Sequence, residues 1–155
     1  MTQELCILNS WMYGMLTDTE YLVRLHVVLE PVGQPWVNID VGGQHSGQQL
    51  LAQQKFDFEF TARHTCDLKI THFAKSDLDP FTAVIVKEIG FFSIVDPRFV
   101  WAGIYVPDYP EHYPIKTTPL PGQTYLGWNG VYELNFSVPV FSWMHKILNM
   151  GWLYD

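Results

Sequence analysis

The amino-acid sequence predicts an all-β fold, an antiparallel β-sandwich with one long proline-rich loop. Apolar residues recur at every second position over several runs, which is the periodicity of strands with one buried face. Turn-forming residues separate these runs about every 8–12 residues, as in sandwiches and barrels. No long stretch carries the apolar stripe of an amphipathic helix. The 155 residues suffice for a single domain, 1–155, with a sizeable core.

The composition excludes several classes of protein. Hydrophobic residues make up 48% of the chain and charged residues only 16%, which argues against an intrinsically disordered protein. The formal net charge of -7 argues against nucleic acid as the main partner, because phosphate groups require a basic surface. No apolar run approaches the roughly 20 residues of a membrane span, so we expect no membrane partner. The N-terminus shows no basic region followed by an apolar one, so we expect no signal peptide.

The first half of the chain contains four runs in which apolar and polar residues alternate. They predict strands at residues 21–30, 36–41, 55–61 and 65–73. Gly42 and Gly43 predict a tight turn after the second strand. The glutamine-rich stretch 44–54 is predicted to be a loop, and the aspartate and proline residues of 76–80 predict a turn.

The second half begins with a near-continuous apolar run at 82–95, which predicts a central strand buried on both faces. Further strands are predicted at 99–106, 124–128, 131–138 and 140–144. Asn129 and Gly130 give a hairpin signal between two of these strands. Five prolines make 107–122 an exposed, stiff loop, since proline cannot donate to a sheet ladder. Residues 1–20 are predicted to pack on the domain, and the tail 145–155 to form one helical turn.

The sequence contains no pattern typical of an enzyme. A Gly-x-Ser-x-Gly elbow is absent, and Asp57 and Glu59 share one strand face, which prevents them from flanking a sugar as glycosidase carboxylates do. We therefore predict that the chain is not an enzyme. Cys6 and Cys66 are expected to be buried reduced thiols, with a bridge between them as the alternative.

Metal sites are limited to one candidate. The six histidines lack the spacing of transition-metal ligands. Calcium prefers carboxylate and carbonyl oxygens from loops. Asp77 and Asp79 lie two residues apart in a predicted turn, and Asp96 follows the long apolar run. These three residues are the candidate ligands, and calcium is the only cofactor considered; turn formation explains Asp77 and Asp79 equally well.

Aromatic residues are the most distinctive feature, at 15% of the chain with six tryptophans. Such residues anchor interfaces and stack on ligand rings. The candidate ligand or interface residues in and around the proline-rich loop are Trp101, Tyr105, Tyr109, Tyr113 and Trp128. Trp11 and Trp152, near the termini, are predicted to pack together or against neighbouring chains. The alternative is a tryptophan-rich core with a packed loop.

Residues 21–94 resemble the jelly-roll carbohydrate-binding modules, including the calcium-dependent xylan-binding type. The resemblance rests on a succession of strand motifs around an aspartate-rich turn, at 37–43, 56–60, 68–73 and 83–92. It implies a jelly-roll β-sandwich that binds sugar through loop carboxylates and calcium. No ligand residue of that family is matched one by one in this chain.

The second half, from Tyr125 to Val131 and on through Trp143 and Trp152, is similar to small virion proteins of tailed bacteriophages. This similarity implies a non-catalytic structural protein of the tail, neck, fibre or capsid surface. It implies a homo-oligomer or contact with other virion proteins, and location in the virion after synthesis in the host cytoplasm. The alternative hypothesis is a calcium-dependent carbohydrate-binding module that recognises a polysaccharide, and a virion protein could also contact glycans.

Overall fold

The computed structural model describes residues 19–148, which form eleven strands and two short helices. The strands are β1 (Tyr21–Val32), β2 (Trp36–Val41), β3 (Gln44–Gln49), β4 (Gln54–Ala62), β5 (Thr65–Phe73), β6 (Ala83–Phe91), β7 (Ile94–Val95), β8 (Ile104–Pro107), β9 (Leu120–Pro121), β10 (Tyr125–Leu126) and β11 (Gly130–Ser137). The helices are α1 (Pro97–Trp101) and α2 (Val140–Ile147).

The strands pair antiparallel in two sheets. The first sheet has the order β10-β6-β1-β4, and β7 pairs with β6. The second has the order β3-β2-β5-β11-β8-β9. Alternating residues of each sheet point into a shared core, as Val23, Leu25 and Val27 of β1 do opposite Leu68 and Ile70 of β5. The fold is therefore an all-β sandwich, as the sequence predicts.

One end of the sandwich is closed by aromatic packing from both helices. Phe91 lies at the end of β6, and its ring centroid is 5.0 Å from Phe136 of β11. Phe99 of α1 and Trp143 of α2 lie 5.6 and 5.3 Å from the same ring. The helices thus bury their apolar side chains at this end of the core, which leaves the opposite end to the loops.

The strand predictions for the first half of the chain are confirmed, with one exception. The predicted strands at 36–41 and 65–73 coincide with β2 and β5, while β1 and β4 are each slightly longer than predicted. The exception is the predicted loop at 44–54, because residues 44–49 form β3 and pair with β2. Its polar side chains suit an edge strand, one side of which is not covered by a neighbouring strand.

Two strand predictions in the second half are wrong where helices form, at 99–101 and at 140–144, whereas residues 104–106 of the first prediction lie in strand β8 as predicted. The predicted strand at 99–106 begins with α1, whose N-cap Asp96 accepts a hydrogen bond from the Arg98 backbone N–H at 2.9 Å. Pro97 occupies the first turn, which favours a helix start. Likewise, the predicted strand at 140–144 is the first part of α2.

Two connections also differ from the prediction. The apolar run at 82–95 is not one strand but β6 and β7, joined by a turn in which Phe92 and Ser93 have φ of 53° and 67°. β6 is nevertheless an interior strand, between β1 and β10. Asn129 and Gly130 form no hairpin, because β10 pairs with the first sheet and β11 with the second. This segment instead crosses from one sheet to the other.

Several sequence predictions concern residues outside 19–148. Trp11, Trp152 and Cys6 lie outside the described residues. Cys66 is half-buried on β5, where burial raises the pKa of its thiol and Asp67 raises it further. Within the described residues no helix is long and apolar enough to cross a membrane.

Candidate ligand-binding cleft

The strand register brings three loops to one end of the second sheet. His72 near the end of β5 and Pro107 at the end of β8 both lie opposite Gly130, the first residue of β11. The loop that follows β5, the proline-rich loop that follows β8 and the crossing segment that precedes β11 therefore leave the sheet together. This is the end opposite the two helices.

Three of the predicted aromatic residues meet where these loops converge. The Tyr109 and Tyr113 rings stack with centroids 5.3 Å apart and planes 7° apart. Tyr113 also meets Trp128 edge-to-face at 5.1 Å. All three side chains are only half-buried. Because such arrangements match the preferred geometries of aromatic pairs, the three rings support one another as a single cluster, which we call the aromatic cluster.

Polar groups of neighbouring residues fix the position of Trp128. Its backbone N–H donates to the Tyr105 hydroxyl at 3.1 Å, and that hydroxyl donates to the Trp128 carbonyl. The Lys75 ammonium lies 4.4 Å from the centroid of the Trp128 ring. Asn129 clamps the Lys75 backbone, accepting from its N–H and donating to its carbonyl, both at 2.9 Å. These contacts fix the tryptophan in place although it sits in an irregular crossing segment.

The proline-rich loop is ordered by its own hydrogen bonds as well as by its prolines. The Tyr109 hydroxyl donates to the Thr117 carbonyl at 2.7 Å, and Lys116 donates to the Glu111 carbonyl at 3.0 Å. Contacts of this kind, between residues five and eight positions apart, close the loop on itself. The loop thereby presents Tyr113 to Trp128 without a regular strand or helix.

The loop after β5 forms the opposite wall of the cleft. Asp79 shapes it by accepting from the backbone N–H groups of Phe81 and Thr82, at 2.9 and 3.1 Å, and from the Thr82 hydroxyl. These hydrogen bonds lower the pKa of the Asp79 carboxyl to about 2. Between this wall and the aromatic cluster lies a cleft of about 480 Å³. Its lining residues are Asp77, Leu78, Asp79, Pro80, His112, Tyr113 and Trp128.

The three predicted calcium ligands do not come together as a metal site. Asp96 caps α1 and pairs with Arg98 through both carboxylate oxygens, at 2.9 Å each. The hydrogen bonds from Arg98 lower the pKa of the Asp96 carboxyl to about 2. Asp79 commits its oxygens to its own loop, and only Asp77 faces the cleft as an exposed carboxylate. Within residues 19–148 no group of three or more histidine, cysteine, aspartate or glutamate side chains could hold an ion, so the three predicted ligands form no such cluster.

The other predicted aromatic residues lie elsewhere. Trp101 ends α1, is 59% exposed and does not line the cleft. Tyr105 is 1% exposed, so it can support Trp128 but cannot contact a ligand. Conversely, sequence reasoning missed Lys75 and His112 as parts of this site. The sequence carries no signal for Lys75, because the acceptors of its ammonium are the backbone carbonyls of Thr82 and Gly127.

A second, larger groove of about 500 Å³ runs over the outer face of β1 and β4. Its charges are paired: Arg24 lies 3.7 Å from Glu59, and Lys55 lies 3.8 Å from Asp57. This confirms that Asp57 and Glu59 share the outer face of one strand. Exposed pairs of this kind contribute little to stability. We place the candidate site at the cleft because aromatic and unpaired polar groups converge there.

Comparison with known proteins shows a likeness at the level of the fold. No family model matches the chain, and no curated protein matches it either. A solved structure of vCBM60 in complex with galactobiose has a TM-score of 0.50 and 16% sequence identity, and the alignment covers 72% of this chain and 98% of that one. A selenomethionine form of vCBM60, described with two families of calcium-dependent carbohydrate-binding modules, has a TM-score of 0.50 and 14% identity, covering 72% and 89%. The chain is therefore similar in fold to carbohydrate-binding modules.

Proposed function

We propose that this protein is a non-catalytic carbohydrate-binding module whose site is the cleft beside the aromatic cluster. The single observation that carries the proposal is the convergence of Tyr109, Tyr113 and Trp128 at the mouth of a cleft that also holds an exposed carboxylate. The fold likeness to carbohydrate-binding modules supports it. The proposal follows the alternative hypothesis from the sequence more closely than the virion hypothesis.

The chemistry of the cleft suits a neutral sugar. The C–H face of a pyranose ring packs on an aromatic side chain, as Tyr113 and Trp128 offer here. Sugar hydroxyls are donors and acceptors, which Asp77 and His112 can satisfy from the two walls. Such a site selects a polyhydroxylated ligand with an apolar face, and its polar groups decide which hydroxyl arrangement is accepted.

The ionisation of Asp79 favours binding over hydrolysis at its position in the cleft. A glycosidase needs one carboxylic acid whose pKa is raised, so that it can protonate the leaving oxygen. Asp79 has the opposite property, because hydrogen bonds from its own loop lower its pKa to about 2. It stays ionised and engaged with Thr82 at neutral pH. The cleft therefore lacks a proton donor at this position.

The test is a glycan-binding screen followed by calorimetry on the best ligand, with galactobiose and xylo-oligosaccharides included. We expect Trp128→Ala and Tyr113→Ala each to weaken binding about tenfold or more, since 1.4 kcal/mol of lost ring contact is a factor of ten. The matched control is Trp36→Ala, which removes a 42% exposed tryptophan that packs on Phe73 and does not line the cleft.

Melting curves of each variant keep a loss of fold apart from a loss of binding. Folded Trp128→Ala that binds as tightly as the parent protein would overturn the proposal, and so would the absence of any glycan ligand across the screen. A Trp36→Ala variant that alone loses binding would move the site to the outer face of the second sheet.

A second candidate is the structural role predicted from the sequence, in which the chain assembles with itself or with other virion proteins. The observation that favours it is an exposed apolar strip on the second sheet. Ile104 and Val106 point outward from β8 and are 42% and 49% exposed, and Trp101 next to this strand is 59% exposed. A strip of this kind suits an interface between chains, and the two functions are compatible in one protein.

A further inference from the structure

Lys75 is the most unusual charged residue of the described chain. It lies just after β5, next to Ala74, whose left-handed φ of 61° turns the chain at the end of the strand. Its side chain is buried, with 9% exposed. Lysine is seldom buried to this degree unless its ammonium has partners. The groups that contact the Lys75 ammonium indicate its structural role.

The ammonium bridges the two segments that form the cleft. Its Nζ donates to the Thr82 carbonyl at 2.8 Å, on the loop after β5, and to the Gly127 carbonyl in the crossing segment. The same Nζ lies 4.4 Å from the Trp128 ring, a distance at which a cation is attracted to the face of an indole. Asp79 on the loop adds an attractive negative charge. One cation thus contacts both walls of the site.

Backbone carbonyl oxygens from loops, with a carboxylate nearby, are the surroundings in which proteins hold calcium. In this chain such surroundings enclose a lysine. We infer that the Lys75 ammonium is a built-in cation that joins the loop after β5 to the Trp128 segment, so that the cleft is assembled without a divalent metal ion. The part of this inference that concerns glycan binding rests on the proposed function; the part that concerns assembly of the cleft does not.

The neighbouring groups allow a single positive charge at this position. His72 is fully buried, and its Nδ1 lies 2.9 Å from the Leu126 carbonyl. Burial lowers the pKa of His72, and the nearby Lys75 lowers it further. The imidazole is therefore neutral and donates through Nδ1. Burial also lowers the pKa of Lys75, and Asp79 opposes that shift.

The experiment compares the parent protein with Lys75→Met, which keeps the length of the side chain but removes the charge. The matched control is Lys55→Met, at a lysine whose side chain is 58% exposed. We expect Lys75→Met to lower the melting temperature by roughly 4–8 °C, because two part-buried carbonyls lose a charged donor. We also expect the Trp128 indole N–H signal in a ¹⁵N spectrum, assigned with Trp128→Phe, to shift or broaden.

A Lys75→Arg variant serves as the charge-conserving rescue. We expect Lys75→Arg to restore the Trp128 signal at least in part, because it restores the positive charge. If Lys75 acted only through packing, the methionine variant would already resemble the parent protein, because methionine fills a similar volume. An undisturbed Trp128 signal in folded Lys75→Met would overturn the bridging role.

Calcium chloride and excess EDTA are then added to the parent protein. We expect neither addition to move the melting temperature or the Trp128 signal. A calcium ion bound to the native state would stabilise it, so an unchanged melting temperature means that the site binds no calcium. A rise with calcium that EDTA reverses would overturn the inference of a metal-free site. These readouts need no glycan, so a failed glycan screen counts against the proposed function alone.

If the screen finds a glycan ligand, its affinity for the parent protein and for Lys75→Met is measured in the presence of EDTA. Binding that survives EDTA but is lost in folded Lys75→Met supports the inference. Binding that disappears in EDTA overturns it while leaving carbohydrate recognition intact.

Discussion

Asp79 shows how one side chain can shape a wall of the cleft through hydrogen bonds within its own loop. Its two oxygens accept hydrogen bonds from Phe81 and Thr82, so the carboxylate holds the turn in the position that faces Trp128. A carboxylate engaged by several donors is stabilised in its ionised form. Its pKa of about 2 in the folded protein compares with an ordinary value of 3.8.

This difference predicts an acid-dependent loss of stability at Asp79. A pKa that is lower in the folded than in the unfolded state adds stability above pH 3.8, and this stability disappears as the pH falls toward 2. We therefore expect Asp79→Asn to melt below the parent protein at pH 6 and the gap to narrow as the pH approaches 2. Melting curves across this range measure it. Asp77→Asn removes an exposed carboxylate from the same loop and is the control; a gap for Asp79→Asn that stays constant with pH would contradict the prediction.

Single residues of the site were predictable only where their chemistry is conspicuous. Tyr109, Tyr113 and Trp128 stand out in the sequence because large aromatic residues surround a loop that cannot be a strand. Tyr105 has the same composition signal, yet it points inward from β8 and is buried. Its neighbours Ile104 and Val106 are also apolar, so the sequence does not show which face of this strand is exposed to solvent. Lys75 was not predictable because its cage consists of backbone carbonyls, which the sequence does not display.

At the level of elements, α2 shows why a strand prediction can fail on a short apolar segment. Val140, Trp143 and Met144 are buried, and Ile147 packs against the core, which is the spacing of one helical face. Read over residues 140–144 alone, the same residues look like a continuous apolar strand. The helical spacing becomes visible only when Ile147 is included, because a short apolar run does not distinguish the two periods.

The packing of α2 predicts a large effect of Trp143. Its ring lies within 6.0 Å of the Phe91, Phe99 and Phe136 ring centroids and is 7% exposed. We expect Trp143→Ala to lower the free energy of unfolding by about 3–5 kcal/mol, the usual cost of a truncated buried aromatic side chain. Denaturant titration measures it.

The control is Phe141→Ala on the same helix, at a residue that is 50% exposed and stacks on Phe92 at 5.0 Å. It should cost clearly less than Trp143→Ala. Equal costs for the two variants would show that α2 does not close the core through Trp143.

On the scale of the whole molecule, the two ends of the sandwich have different tasks. The helices seal one end with interlocking aromatic rings, and the three converging loops form the cleft at the other. The alternation of the strands predicts the sandwich itself, since burying one face of each strand requires two sheets. It does not predict which loops share an end, because that depends on the pairing of β11 with both β5 and β8. Contacts between distant strands of this kind leave no local signal in the sequence.

The outer surface of the second sheet carries the remaining prediction, that copies of the chain associate. Val106 lies beside Val131, and Ile104 lies beside Pro121, so the exposed apolar side chains of β8 form one continuous strip. Because solvent-exposed apolar strips are stabilised by burial against a second surface, we expect a discrete oligomer in light scattering at micromolar concentration. Ile104→Lys places a charge in the strip and should shift the population to monomer. Leu22→Lys, at a 43% exposed residue of the first sheet, should leave the mass unchanged. A parent protein that is monomeric at all concentrations would contradict the assembly role and leave the cleft as the functional surface.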